Sequence, residues 1–484
     1  MQRETLVPTI VEGTSLSVIN FQDLVNNAQT SLDGRARAIA LTLLEAAISA
    51  VDPKLLVKNA VRLQGHKLRV KNLTVDLTGY DRILAVGGGK ASGGLAEALE
   101  ELLGNRLDSG MINVPRGTAE RFRTRVIQVN EAGHPIPDHG GVEGANKIME
   151  MLKGLDERTL VITLLSGGGS ALLPLPQEGI SLEDKQETTN LLLTCGATIE
   201  EINVVRKHIS RLKGGRLAAY AFPATVLCLL VSDVVGDALP SIASGPTVPD
   251  PSTFTEAVET LRRYNIWERI PDAVKEYLRG GVMGENPESP KPGDVRFSQV
   301  HNVLLGNGEV ALEASERRAK ELGLNSLILS SYMEGEARHV GTVLSALARE
   351  MIVTNRPLAT PGVVLAGGET TVTVTGTGRG GRNQETVLGA ALHLVKTHGV
   401  AIASMGTDGV DGSSDAAGAI IDGSTMTRAL TRGIEPIHFL KNNDSYHFFR
   451  ELNDLIFTGF TGTNVGDIMV IVVLDEKDDV EKLS

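Results

Sequence analysis

The sequence predicts an α/β protein built as two domains, and three observations carry that expectation. Short apolar, β-branched runs of strand length end repeatedly in glycine-rich turns: Arg82–Val86 before GGGKAS, Thr159–Leu165 before SGGGS, Ala224–Val231 before SDVVGD, and Pro361–Ala366 before GGET. Between them lie segments with apolar residues at helical spacing, as in a sheet covered by helices on both faces. From Gly280 to Val295 the chain is glycine, proline and acid without periodicity, the composition of an exposed linker. The domains are accordingly placed at residues 24–280 and 296–484.

Composition bounds the partners. A chain of 484 residues with 42% hydrophobic and 22% charged content can bury two or three cores. A net charge of -12 argues against nucleic-acid and anionic-membrane partners, which need a basic surface, so any anion must be held in a local pocket. Cys195 and Cys228 lack metal-ligand spacing and read as reduced structural thiols of a cytoplasmic protein. The first twenty residues lack the basic and apolar runs of a signal segment, and no stretch is long and apolar enough to span a bilayer. The oligomeric state stays open, a homo-oligomer included.

In chain order, Ser31–Val51 has helical spacing and stops at Asp52-Pro53. After the strand Arg82–Val86 come Gly87, Gly88, Gly89, Lys90 and Ser92. This is neither a Walker A loop nor a dinucleotide fingerprint, because Ser92 stands where the third glycine would be. Lys90 at a helix start can hold an anion as a point charge, or can simply be solvated. Met111–Val114 and Val126–Asn130 read as strands, and His134 and Asp138 in the rigid loop that follows read as satisfied loop residues. Ser166 and Ser170 offer hydroxyls, and Gly167, Gly168 and Gly169 offer amides, for a phosphate nest. Leu182–Cys195 is helical. Ile202–Ala218 carries five lysines and arginines, as a partly solvated helix would. Asp233 and Asp237 follow a core strand, where carboxylates of open α/β sheets act. They could hold Mg²⁺, serve as base or cap loops.

Beyond the expected linker, a strand at Asn302–Leu305 runs to Asn307, a strand at Ser326–Ser331 precedes a helix from Gly335 to Val353, and Pro361–Ala366 leads to Gly368 and Glu369. The stretch Thr370–Glu385, TTVTVTGTGRGGRNQE, has the make-up of an anion site. A strand at Thr370–Thr375 gives way to Gly376, Gly378, Gly380 and Gly381, whose amides could face a ligand, and Arg379 and Arg382 supply forked donors. A helix from Asn383 adds its positive end. A hairpin tip with solvated arginines is the plainer alternative. Strands at Gly399–Ser404 and Ile468–Leu474 complete the sheet. Asp408, Asp411 and Asp415 are spaced like an acidic metal loop without the closing glutamate of an EF-hand, and Asn464 and Asp467 fall on the same rim. There is no zinc spacing and no Ser/His/Asp order. The inventory suits phosphoryl transfer from ATP, with cations and amides for the phosphates and carboxylates for Mg²⁺ and the attacking hydroxyl. It leaves the acceptor unidentified.

The ordered motifs LLSGGGSALL, KHISRLKGGRLA, SDVVGD with SIASGPTVPD, GGETTVTVTGTGRGGRNQE, GTDGVDGSSDAAGA and TGTNVGD resemble the glycerate 2-kinase family from about Leu24 to Leu474. The resemblance implies a Rossmann-like N-terminal α/β domain and a C-terminal MOFRL-type α/β domain with the active site in the cleft between them. It implies transfer of the γ-phosphoryl group of ATP to the 2-hydroxyl of D-glycerate, with Lys90 and Arg382 as the catalytic pair. Around that pair, Asp233 is the candidate for orienting or deprotonating the hydroxyl and Asp408 and Asp411 for Mg²⁺. Candidates for binding substrate or nucleotide are Gly87, Gly88, Gly89, Ser92, Ser166, Gly167, Gly168, Gly169, Ser170, Asn307, Gly368, Glu369 and Arg379. Two other readings remain: an NAD(P)H-dependent hydroxypyruvate reductase and a noncatalytic sugar-acid or phosphosugar-binding protein.

Overall fold

The structure, a computed structural model, describes residues 17–475, and the chain divides into two compact units. Among the described residues one comprises Val51–Val310 with Gly462–Gly466, and the other residues 17–50, Ala311–Thr461 and residues 467–475. The division differs from the expected boundaries. The segment Gly280–Val295 is no free linker, because Ser289 donates to Asp250, Glu288 accepts from the Phe254 amide, and Asp250 donates its own amide to Pro290. The sheet of the first unit then continues past it.

That unit opens with the helix Pro53–Ala60 and an antiparallel meander, β1 (Val61–Gln64), β2 (Lys67–Val70) and β3 (Leu73–Asp76). Six parallel strands follow: β4 (Arg82–Gly88), β5 (Ser109–Pro115), β6 (Ile127–Ala132), β7 (Thr159–Ser166), β8 (Thr225–Val231) and β9 (Val300–Gly306). Their spatial order is β6-β5-β4-β7-β8-β9, the doubly wound arrangement in which chain direction across the sheet reverses beside β4. Every residue of β7 and β8 is buried, which explains why these strands read as continuous apolar runs rather than alternating ones. Four helices, Leu182–Thr194, Ile199–His208, Phe254–Arg263 and Asp272–Val282, form a separate core around Leu192, Val205, Leu261 and Trp267. Three of them start at reciprocal capping boxes, Ser181/Asp184, Thr198/Glu201 and Thr253/Glu256, each satisfying two otherwise orphaned amides. The single solvated helix expected at Ile202–Ala218 is instead broken at His208 and resumes at Arg216–Ala221, with Lys207 and Lys213 buried.

The second unit holds β10 (Asn325–Met333), β11 (Gly362–Gly368), β12 (Val400–Gly406), β13 (Gly418–Asp422), β14 (Leu455–Ile456) and β15 (Asp467–Val473), in the order β10-β11-β15-β12-β13-β14. The last strand, β15, is inserted antiparallel between β11 and β12, so the end of the chain forms the middle of this sheet. Helix Ser31–Ala50, from the other end of the chain, packs over β12 and β15 through one apolar face. Thr370–Thr375 is not a strand. Its amides turn to side chains, Thr373 to Glu336 and Thr375 to Asn443, and Val374 is 71% exposed. β-Branched residues favour a pleated surface but cannot supply the neighbouring strand it needs.

Charge fixes helix Ser31–Ala50 in place. The fully buried Arg37 guanidinium donates to Asp422 at 2.5 Å and Asp454 at 2.8 Å, and Arg428 donates to Asp454 at 2.6 Å. Burial opposes the charge on Arg37, but Asp454 and Asp422 outweigh it and raise its pKa. Removing one member of such a network strands its partners in low dielectric. Arg37→Ala is therefore expected to lower the stability of the second unit by about 3–5 kcal/mol, read as a shift of its urea transition.

Candidate functional site

In the first unit, the loops after β4 and β7 leave the sheet on either side of the position where strand order reverses, the place where open α/β sheets bind ligands. Each loop supports the other. The Lys90 amide donates to the Gly167 carbonyl and the Ala91 amide to Ser166 Oγ, both at 2.9 Å, while Ser92 Oγ donates to the Leu164 carbonyl. Ser92 and Ser166, expected as ligand contacts, are both fully buried and serve as struts between the loops. Gly87, Gly88 and Gly89 give the backbone room to pass this close, since a Cβ on Gly89 would overlap Ser166.

Gly167 is held in place by a different kind of neighbour. A side chain there would collide with the Asp233 carboxylate and with Asn464, which donates to Asp233 Oδ2 at 2.8 Å. Gly168 adopts φ +81°, and an added Cβ would sit 3.1 Å from the His134 ring and 3.3 Å from Lys90 Cγ. Lys90, Gly167, Gly168, His134, Asp233 and Asn464 thus converge on one place, with Gly169 packed on Ala243 beside them. His134 was read from sequence as a satisfied loop residue, because nothing in its own segment marks the glycine loop it meets. Ser170 Oγ pairs with Ser244 Oγ at 2.7 Å, and Ser244 donates to Asn203. Asn307 caps the helix Gly308–Glu321 by accepting from the Val310 amide, and donates to Asp237.

In the second unit, Arg382 opens the helix Arg382–Ala391. Its Nε and Nη2 grip both oxygens of Asp467, at 2.7 and 3.0 Å, and its Nη1 meets Glu369 at 2.9 Å. Burial works against the guanidinium charge, and Asp467 and Glu369 outweigh it, so Arg382 is held firmly protonated. The glycine run before it does something other than expected. The amides of Gly376, Thr377, Gly378, Arg379 and Gly380 already donate to Asn443, Asn442, Asp444 and Ser413. A Cβ on Gly376, Gly378, Gly380 or Gly381 would overlap residues 442, 444, 445 or 411. These glycines allow close packing and leave no open amide nest. Gly368, at the end of β11, likewise lies against Met333. Arg379 donates to the Ser413 carbonyl and Asp415 and lies 4.1 Å over the Tyr446 ring, so its fork serves the loop itself.

The helix end is also filled from within. Asp411 is buried and accepts from the backbone amides of Asn383 and Gln384 at 3.0 and 2.9 Å and from both of their side chains. A carboxylate so committed has no oxygen facing outward for a metal, so Asp411 does not fit the Mg²⁺ role expected of it. Asp408 accepts from the Val410 amide and is half-buried. Among the described residues no group of three or more His, Cys, Asp or Glu side chains could hold a metal ion. Cys195 and Cys228 are both unpaired, and burial pushes the Cys228 thiol up to about 11.

Burial pushes the Asp411 carboxyl up to about 6, against the lowering effect of the Gln384 and Asn383 amides. Between the ordinary value of 3.8 and about 6 the folded state therefore holds a proton that the unfolded chain has released. This group favours folding most below that window, and its contribution falls as pH rises through it. Asp411→Asn is expected to flatten that part of the stability profile, measured as urea midpoints from pH 4 to pH 7.

Residues 39–279 match the family model described as a domain of unknown function, DUF4147, and residues 362–467 match the MOFRL family. The chain is 41% identical to the glycerate 2-kinase of Pyrococcus horikoshii over 91% of its own length and 98% of that protein's. It is 39% identical to the D-glycerate 2-kinase of Thermotoga maritima over 90% and 98% of the two lengths. The crystal structure of a Thermotoga maritima glycerate kinase superposes with a TM-score of 0.78, covering 90% of this chain and 99% of that one. With paired glycine loops at the strand reversal, an arginine opening a carboxylate-bound helix and these relatives along nearly its whole length, the chain belongs to the glycerate 2-kinase family.

Proposed function

We propose that the protein is a glycerate 2-kinase, transferring the γ-phosphoryl group of ATP to the 2-hydroxyl of D-glycerate to give 2-phospho-D-glycerate and ADP. The observation that carries this reading is the convergence of Lys90, the Gly167–Gly168 backbone and Asp233 at the strand reversal of the first unit. There a cation, glycine backbone and a carboxylate stand together, as in-line transfer to a hydroxyl requires.

In this reading Lys90 neutralises charge spreading over the transferring phosphoryl oxygens. Asp233, steadied by Asn464, accepts the proton of the 2-hydroxyl as its oxygen bonds to phosphorus and the bond to the ADP oxygen breaks. Arg382, the other member of the proposed catalytic pair, has the same charge-neutralising role. Asp467 keeps two of its nitrogens in register, and the partly exposed Glu369 yields to the incoming anion. Mg²⁺ would accompany the nucleotide and supply further neutralisation of phosphate charge, with Asp408 the remaining candidate carboxylate of this chain to hold it. The reductase alternative requires oxidation of NADH with hydroxypyruvate, and a pure binding protein would release no ADP.

Lys90→Ala and Arg382→Ala are each expected to cut kcat by about 10²–10³, the scale for removing one charge-stabilising donor, with circular dichroism unchanged for Lys90→Ala and a lower urea midpoint for Arg382→Ala, which strands the buried Asp467. Near wild-type turnover by either variant would remove that residue from the reaction. Gly167→Ala is expected to lower kcat by displacing Asp233, and Asn464→Ala to lower it less. Purified protein with ATP, Mg²⁺ and D-glycerate should yield the 2-phospho isomer by NMR. The 3-phospho isomer would overturn the positional assignment.

A further inference from the structure

Three neighbouring cations of the first unit enter none of the ion pairs found among the described residues. Lys185 projects from the helix Leu182–Thr194, Arg206 from the helix Ile199–His208, and Lys213 from the turn before Arg216–Ala221. Lys185 is 3% exposed and Lys213 1%, yet the ammonium nitrogen of neither has a hydrogen-bond partner. By contrast Arg37 is matched by Asp422 and Asp454, Arg382 by Asp467, and Lys207, beside the cluster in sequence, by Asp250. The acids near this segment, Asp250 and Glu288, are engaged with Lys207, His208 and Lys291.

Burial, and after it the like charge of Arg206, presses the Lys185 pKa down to about 7. Burial, Lys185 and Arg206 hold Lys213 well below its ordinary value. No carboxylate opposes either shift. Keeping two unmatched ammonium groups in low dielectric is costly, and Lys→Met would relieve it with nearly the same volume. A site that retains them has a use for positive charge.

The cluster adjoins the β7 loop. The Gly214 amide, next to Lys213, donates to the Ser244 carbonyl, and Ser244 Oγ joins Ser170 Oγ to Asn203, which lies one helical turn from Arg206. Arg206 is half-buried, so it forms the side of the cluster open to solvent.

We propose that Lys185, Arg206 and Lys213 form an oxyanion site that binds a carboxylate or phosphate group of a small-molecule substrate, entering on the Arg206 side with Ser170 as a neutral donor. The proposal extends the kinase reading by naming where a substrate's oxyanion is held. The two sources of that group, the carboxylate of the hydroxy acid and the phosphates of the nucleotide, make different demands on kinetics.

Lys213→Met and Lys185→Met separate the possibilities. For an acceptor carboxylate, each variant should raise KM for D-glycerate at least tenfold and leave KM for ATP within twofold; for a nucleotide phosphate the pattern reverses. Thermal melts of ligand-free protein supply a readout independent of turnover. Inorganic phosphate and D-glycerate, each added alone, should raise Tm of the wild type, and that shift should shrink in both variants for at least one of them. Both variants melting higher than wild type with unchanged KM values and unchanged ligand shifts would overturn the site, leaving the lysines merely buried. If wild-type protein made no phosphoglycerate but the phosphate shift depended on Lys213, the oxyanion site would stand and the kinase reading would fall.

Discussion

A charge taken out of water has to be matched, and much of this structure is arranged around that requirement. In the second unit the matching is done by carboxylates at strand ends and turns. Asp422 and Asp454 receive Arg37, Asp467 receives Arg382, and Asp411 receives the amides at the start of the helix Arg382–Ala391. Asp467 is the first residue of β15, the strand inserted in the middle of the sheet, so the position of Arg382 is tied to the most constrained element of the unit. Arg37 ties residues from the start of the chain to the same sheet, which explains why the helix Ser31–Ala50 belongs there rather than with the strands that follow it in sequence.

The first unit is organised by close approach of backbones. Glycine loops after β4 and β7 bond to each other directly, and Gly167 allows the Asp233 carboxylate to lie against the loop where any side chain would exclude it. Removing side chains brings the charged groups Lys90 and Asp233 to one spot while keeping the backbone around them rigid. The serines of these loops, Ser92 and Ser166, hold that geometry from behind. Their part in this geometry needs no contact with a ligand.

Much of the fold was legible in the sequence because parallel strands covered on both faces must be continuously apolar. The parallel strands from Arg82 to Val231 therefore lie within a few residues of their expected places. In the second unit the buried antiparallel strands β11, β12 and β15 also lie near theirs, whereas β13 and β14 had no reading and Thr370–Thr375 is not a strand. The site was legible in part. Lys90, Asp233 and the SGGGS loop stand out by motif, and the structure brings them together. The glycines from Gly376 to Gly381 were misread as an open nest because a glycine that frees an amide for a ligand looks, in one dimension, like a glycine that makes room for Asn442 or Asp444. Asp411 looked like a metal ligand for the same reason. Its partners, Asn383 and Gln384, lie 28 and 27 residues earlier in the chain.

By itself the sequence determined the α/β class, the turns after the core strands, the acidic character that disfavours nucleic acid, and the family to which the motifs point. The first three follow from local rules of periodicity, glycine placement and net charge, and the family follows from the resemblance of the ordered motifs. Tertiary structure alone decided which carboxylates are spent internally, which serines act as struts, and that Lys185 and Lys213 lie buried without counter-charge. Each of those is a question of desolvation and of partners distant in sequence. The fate of a charged group is set by what surrounds it in three dimensions, and its neighbours along the chain do not supply that.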